Sequence, residues 1–343
     1  MSIERKNTSE KPVIGITMGD INGIGPEVII KALSDNRMLR FMTPVIYGSS
    51  RVLTYYRKAM AMEEQNHHQV KAPGQVHDKK INIFNCWEDT PDIQPGIENE
   101  TGGKYALLAL QKAADDLKNG YLDAVVTAPI SKNNIQSEEF KFPGHTEFFT
   151  QLFQAKDSLM FLVSDTLRVG VVTGHIPLKE VAGQLSKEKI VKKIKLMEQS
   201  LKKDFGINKP RIAVLGLNPH AGENGLLGDE ENLIIKPAID ECKNKGMIVT
   251  GPFPADGFFG KGSFKTYDGV LAMYHDQGLI PFKTMAFENG INFTAGLEGV
   301  RTSPDHGTAF SIAGKNQADE SSIREAIYLA CEIVRNRGML PEQ

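Results

Sequence analysis

The chain has 343 residues, 41% of them hydrophobic and 24% charged, with a formal charge of −2. That is the balance of a soluble globular protein long enough for two α/β domains. So even a charge does not indicate a basic stripe, and no nucleic-acid partner is expected. Three cysteines (Cys86, Cys242 and Cys331) lie far apart with no CxxC spacing, which argues against a thiolate metal site or disulfide framework and predicts a reducing, cytoplasmic setting.

In chain order, residues 1–11 are polar and lack an apolar signal core, so they read as a disordered lead-in. Short apolar runs then alternate with amphipathic ones. Strands are predicted over 13–17, 44–47, 81–84, 124–127, 169–173, 212–217, 248–251 and 270–274. Helices are predicted over 27–33, 103–118, 187–205, 231–245 and 321–337. This alternation predicts an α/β fold with a mainly parallel sheet. Residues 63–80 and 85–102 read as polar loops or insertions. No run approaches the ~18 apolar residues that span a bilayer, so no membrane association is expected.

Of eight histidines, His67, His68 and His77 fall in the first polar stretch and read as solvated surface. Three others share one position in the pattern. His175 follows the strand at 169–173, His220 the one at 212–217 and His275 the one at 270–274. Ligands of open α/β sheets bind outside the carboxyl ends of strands. Three imidazoles delivered there suit a first-row divalent metal, although each taken singly reads as a loop or capping residue. Such a centre can generate hydroxide or polarise an alcohol or carbonyl, and the residues alone do not choose between these.

Other polar clusters surround this pattern. TMGDINGIGPE (17–27) lacks the dinucleotide fingerprint, yet its Asp20 and Asn22 follow a strand and could face a ligand. PGHTEFF puts His145 and Thr146 at a helix start, which attracts anions unless Thr146 merely caps it. Lys283, Asn292 and Arg301 lie in a mostly apolar stretch. If buried, the two cations call for an anionic partner such as a phosphorylated acid. Residues 301–314, with Gly307 and Gly314, allow close approach of a flat or charged ligand.

Seven segments, GDINGIGPE, PGHTEFF, VVTGHIPL, GLNPHAGENG, PADGFF, AMYHDQGLIPFK and RTSPDHGTAF, together resemble the 4-hydroxythreonine-4-phosphate dehydrogenase family, from about Val13 to Ile333. The resemblance implies the isocitrate/isopropylmalate dehydrogenase type of fold, two α/β/α domains flanking a cleft. The boundaries expected are 12–145 plus 290–343 for the first domain and 146–289 for the second, which would carry the metal site and dimer interface. It implies metal ligands His175, His220 and His275, shared across a homodimer with the third histidine from the partner chain. Substrate contacts fall on His145, Thr146, Lys283, Asn292 and Arg301, and catalytic roles on Lys283 and Asp256. Cofactor contacts fall on Asp305, Gly307 and Thr308.

The cofactors implied are NAD or NADP and a divalent metal (Zn, Mg or Co). The reaction implied is oxidation and decarboxylation of 4-phosphohydroxy-L-threonine. Ile21-Asn22, Gly257 and Ser311 stand where the family has proline-alanine, threonine and aspartate. These departures leave open D-threonate or D-erythronate 4-phosphate as substrate. Rival classes are an acyl-phosphate transferase, a metal-dependent hydrolase and a metabolite-binding protein. Metal analysis, nicotinamide dependence and turnover separate them.

Overall fold

In a computed structural model, residues 3–7, 9–63 and 66–340 are described. They divide into two compact units, 1–156 with 297–343, and 157–296. The changeovers lie beyond the expected 145 and 290 because the helix that starts at His145 packs on an earlier helix of the first unit.

The first unit runs β1 (Val13–Thr17), α1 (Gly25–Ala32), β2 (Thr43–Gly48), α2 (Ser50–Ala59), β3 (His67–Val70), β4 (Ile81–Asn85), α3 (Glu100–Lys118), β5 (Ala124–Thr127) and α4 (His145–Leu152). The second unit runs β6 (Leu159–Val163), β7 (Arg168–Thr173), α5 (Val181–Gln184), α6 (Lys187–Lys203), β8 (Arg211–Leu215), α7 (Lys236–Asn244), β9 (Ile248–Phe253), α8 (Ala255–Gly260), β10 (Gly269–Tyr274), α9 (His275–Ala286) and β11 (Ile291–Ala295). The chain then returns to the first unit as β12 (Val300–Pro304) and α10 (Ser321–Asn336).

Strands of the first unit are ordered β3-β4-β2-β1-β5-β12, all parallel. Every residue of β1, VIGIT, is buried, as a strand covered on both faces must be. Helix α3 packs on β1, β2 and β5, while α10 packs on β12, β5 and β1 together with α1. The chain leaves β1 toward β2 and later returns on its other side as β5. The order therefore reverses between β1 and β5, the kind of point where such sheets bind ligands.

The second unit is ordered β11-β6-β7-β10-β8-β9. Strand β6 runs antiparallel to both β11 and β7, and the rest are parallel. Val169, Val171, Ala213, Leu215, Val270 and Ala272 from three neighbouring strands pack with Phe258 of α8 and Leu279 and Phe282 of α9. The carboxyl ends of β7, β10 and β8 are thereby held side by side.

Three sequence expectations are corrected. The lead-in is anchored: buried Asp123 accepts from the Arg5 guanidinium at 2.7 and 3.0 Å and from Asn7 at 3.2 Å. Polar partners hold this segment, so apolar periodicity could not reveal it; residues 1, 2 and 8 lie outside the described residues. The polar stretch 63–80 contains β3, whose backbone bonds to β4 make an edge strand without apolar alternation. His67 on that strand is half-buried rather than simply solvated. The HDQG segment opens a helix, α9, instead of a loop.

Candidate active site

In the first unit, Arg301 lies on β12 beside Val125 of β5. It is 2% exposed, and its Nε and Nη2 donate to the Thr127 hydroxyl at 3.1 and 2.7 Å. Burial pulls the guanidinium down to about 9, opposed by the charge of Glu147. His145 opens α4 after Gly144, an N-cap that brings no side-chain acceptor. Thr146 therefore occupies the first turn of the helix and is not its cap. The His145 ring is held well below the usual imidazole range, first by burial and then by Arg301 and Lys132. It stands neutral at pH 7, and its Nε2 is buried without a hydrogen-bond partner. A buried guanidinium, an unsatisfied imidazole nitrogen and a helix start form an environment whose charge and donors suit a phosphate or carboxylate.

Asp20 and Asn22 are fully buried and bonded within the chain. Asp20 accepts from Asn134 Nδ2 at 2.7 Å and from the Asn22 amide at 2.8 Å. Burial raises its carboxyl, while these bonds oppose the rise. Asn22 donates to Asn99 Oδ1 at 2.9 Å and accepts from the Gln94 amide at 2.8 Å. The departure at position 22 thus ties the 94–99 segment to the turn after β1. Residues 305–308 follow β12. Asp305 donates its amide to Ser322 Oγ at 3.3 Å, and the Thr308 carbonyl accepts from the Ile24 amide at 3.0 Å. Around Gly307 the space a side chain would fill is open, which fits a flat ligand laid against the backbone.

In the second unit, the three histidines follow adjacent parallel strands, β7, β10 and β8. The ends are cross-tied: Thr173 Oγ1 donates to the Met273 carbonyl at 2.8 Å, and Gln277 Nε2 to the Gly216 carbonyl at 2.6 Å. The rings of His175 and His275 lie 5.3 Å apart. His275 Nδ1 meets Asp276 Oδ1 at 2.7 Å. A carboxylate there favours the proton on Nδ1 and leaves Nε2 available as a ligand.

His220 is presented differently. Residues 220–224 all have left-handed backbone, with φ of 52°, 51°, 80°, 44° and 58°. Such a conformation costs a non-glycine residue about 1–2 kcal/mol, so it needs support. The buried Glu231 carboxylate accepts from the Leu217 and Asn218 amides, each at 2.7 Å, and from Asn218 Nδ2 at 2.9 Å. A Cβ at Gly216 would come within 3.0 Å of the Ala221 Cβ, so the turn requires glycine there. Strain held this firmly is typical of functional sites. Among the described residues, however, no three His, Cys, Asp or Glu side chains of one chain are grouped to hold a metal ion. Of the three histidines, His175 and His275 are the pair whose rings come close.

Asn292 lies on β11 with its Oδ1 buried and without a hydrogen-bond partner. Lys283 is half-buried two turns along α9 from His275, and Asp256 is exposed in the first turn of α8. Sequence reasoning missed Thr127, Glu231 and Gln277, which hold the predicted residues in place. Only Gln277, inside the HDQG segment, lay in a motif already singled out.

These features define a doubly wound α/β protein with a buried, anion-suited Arg301 and His145 in one unit and a close His175–His275 pair at the strand ends of the other. The model of the pyridoxal phosphate biosynthetic protein PdxA family matches residues 40–330. A 4-hydroxythreonine-4-phosphate dehydrogenase of Bacteroides thetaiotaomicron is 51% identical over 94% of this chain and 89% of its own length. The chain belongs to the PdxA family. A crystal structure of 4-hydroxythreonine-4-phosphate dehydrogenase from Klebsiella pneumoniae superposes with a TM-score of 0.82 at 36% identity, covering 96% of this chain and 99% of that one. Isocitrate dehydrogenase from Methylococcus capsulatus shares the fold alone, with a TM-score of 0.50 at 11% identity over 95% of this chain and 87% of that one.

Proposed function

We propose that this chain oxidises and decarboxylates 4-phosphohydroxy-L-threonine to 3-amino-2-oxopropyl phosphate with NAD or NADP, as a step in pyridoxal 5'-phosphate biosynthesis. The observation that carries the reading is the buried Arg301 with His145, within a chain 51% identical to a relative of that name. In the reaction the carbinol carbon gives up its hydride and the hydroxyl its proton, leaving a ketone; the neighbouring carboxylate then leaves as carbon dioxide, and a proton takes its place on that carbon. The nicotinamide supplies the hydride acceptor, and a divalent metal (Zn, Mg or Co) the electrophile that polarises the oxygen.

The chain's own groups bind and orient. His145, Thr146 and Arg301 take an anionic end of the substrate, while Asn292 offers its unsatisfied amide oxygen as an acceptor. Neutral His145 donates through Nε2 if its proton resides there, so it serves an anion without the cost of a second buried cation. Lys283 is the proton-transfer group, with Asp256 its acidic counterpart. Asp305, Gly307 and Thr308 receive the dinucleotide.

His175, His220 and His275 hold the metal, one of the three coming from a second copy of the chain. Two observations support a homodimer. Among the described residues one chain does not group three ligands, and each histidine is followed by an exposed apolar side chain: Leu178 at 72%, Leu226 at 80% and Ile280 at 63%. Covering these side chains with a second copy of the chain would remove apolar area from water. A cytoplasmic setting suits the three unpaired thiols.

The deciding experiment incubates metal-loaded protein with 4-phosphohydroxy-L-threonine, then with D-threonate and D-erythronate 4-phosphates, each with NAD or NADP, and follows reduced nicotinamide. Turnover of the first substrate above the others is expected. Reduction with none of them would overturn the reading.

A further inference from the structure

The turn after β1 carries a buried charge that the proposed chemistry does not use. Glu27 on α1 is 0% exposed. Its Oε1 accepts from the Ala318 amide at 2.9 Å and from Lys31 Nζ at 2.9 Å, and its Oε2 accepts from the Gly314 amide at 3.2 Å. Lys31 Nζ also donates to the Ala318 carbonyl at 2.7 Å. One ion pair on the first helix thus grips a segment almost 290 positions later by two amides and a carbonyl.

That segment needs gripping. Ala309, Gly314 and Asn316 adopt left-handed backbone, with φ of 43°, 72° and 58°, and the Ala309 side chain disfavours it. Its other end is pinned by the Ile24 amide on the Thr308 carbonyl at 3.0 Å. A Cβ at Gly23 would come within 3.0 Å of the same oxygen, so the backbones meet closely. The loop from 308 to 318 is therefore clamped at both ends by α1 and the residues just before it.

We propose that Glu27, with Lys31, is a positioning residue for the nicotinamide dinucleotide: it presets the shape of the loop that Asp305, Gly307 and Thr308 begin. This rests on the reading of those three residues as cofactor contacts. The carboxylate stays on its two amides and the ammonium, and touches neither substrate nor cofactor. A loop preset in the bound shape saves the ordering cost that binding would otherwise meet.

The test substitutes Glu27→Gln and Lys31→Met in the full-length protein. A carboxamide cannot accept at both atoms, so Glu27→Gln loses one amide bond and the ion pair. Hydrogen exchange across 307–318 should quicken at least about tenfold while amides of β1 and β5 stay protected. The Kd for dinucleotide, titrated by fluorescence in metal-free protein, should rise about tenfold, and the cofactor KM with it. In the metal-loaded enzyme kcat at saturating cofactor should stay within about twofold. Lys31→Met should shift the same readouts by less, and it decides the matter should Glu27→Gln not fold. Unchanged exchange in the loop would overturn the positioning role and leave the cofactor contacts standing. A loosened loop with unchanged dinucleotide Kd would overturn the role too, and would also remove the cofactor from 305–308. Failure of the unaltered protein to bind any dinucleotide would overturn the underlying reading and, with it, the positioning role, even where the loop loosens as expected.

Discussion

The anion pocket of the first unit and the histidine cluster of the second are built on opposite economies. Arg301 is 2% exposed and anchored on Thr127, and His145 is held neutral by burial. In the second unit His175 and His220 are exposed, and His275 has a third of its side chain open to solvent. Their order comes from backbone: adjacent strand ends, cross-tied carbonyls and a left-handed turn propped on Glu231. A buried cation left without acceptors is costly, and the Thr127 hydroxyl supplies one here. Exposed imidazoles, by contrast, stay hydrated and carry no such cost.

Removing a ligand tests the open site most severely. His220→Ala is expected to lose bound metal, measured by atomic emission, and to lower turnover about a thousandfold or more, while circular dichroism stays unchanged. Full activity under strict chelation would separate the histidines from any metal. The pocket should respond next. Arg301→Met is expected to lower kcat/KM about a hundredfold, since truncating a buried charge contact costs about 2–5 kcal/mol. Its thermal midpoint should hold or rise, because an apolar isostere no longer buries a cation. A marked fall in midpoint with intact kcat/KM would make Arg301 a structural residue.

An intermediate effect distinguishes the two economies directly. Leu226→Arg, at the 80% exposed position beyond His220, should shift sedimentation toward monomer and lower metal content. Phosphate protection of the first unit should be unaltered by hydrogen exchange. A monomer that keeps a full complement of metal would place all three ligands in one chain.

The smallest effect concerns pH. His145 is depressed in the folded chain, so the unfolded chain takes up its proton first as pH falls. Stability is therefore full above about 6.5, the unfolded value, and declines below it, by at most about 1.4 kcal/mol per pH unit. Chemical denaturation of His145→Asn should lack this step. An identical decline in that variant would assign it elsewhere.

The sequence was readable where one physical rule acts locally. Fully apolar runs such as VIGIT showed a strand buried on both faces. A histidine after each of three such runs marked equivalent strand ends, and the ordered motifs carried the family. Strands with mixed or polar patterns were not legible. HHQV forms β3 because β4 offers it hydrogen bonds, and INFTA and VRTSP become strands through pairing that their own periodicity does not announce.

By itself, then, the order of residues determined the α/β class, the strand ends and the identity of most candidate side chains. These depend on short-range pattern and side-chain chemistry. Only the tertiary structure decided that Asp20 and Asn22 turn inward while Arg301 is buried on Thr127. It also decided that His175 meets His275, and that Glu27 reaches residues 314 and 318. Each of those outcomes depends on which distant segments are brought together. Burial and hydrogen-bond partners are properties of that meeting, and no local stretch of chain contains them.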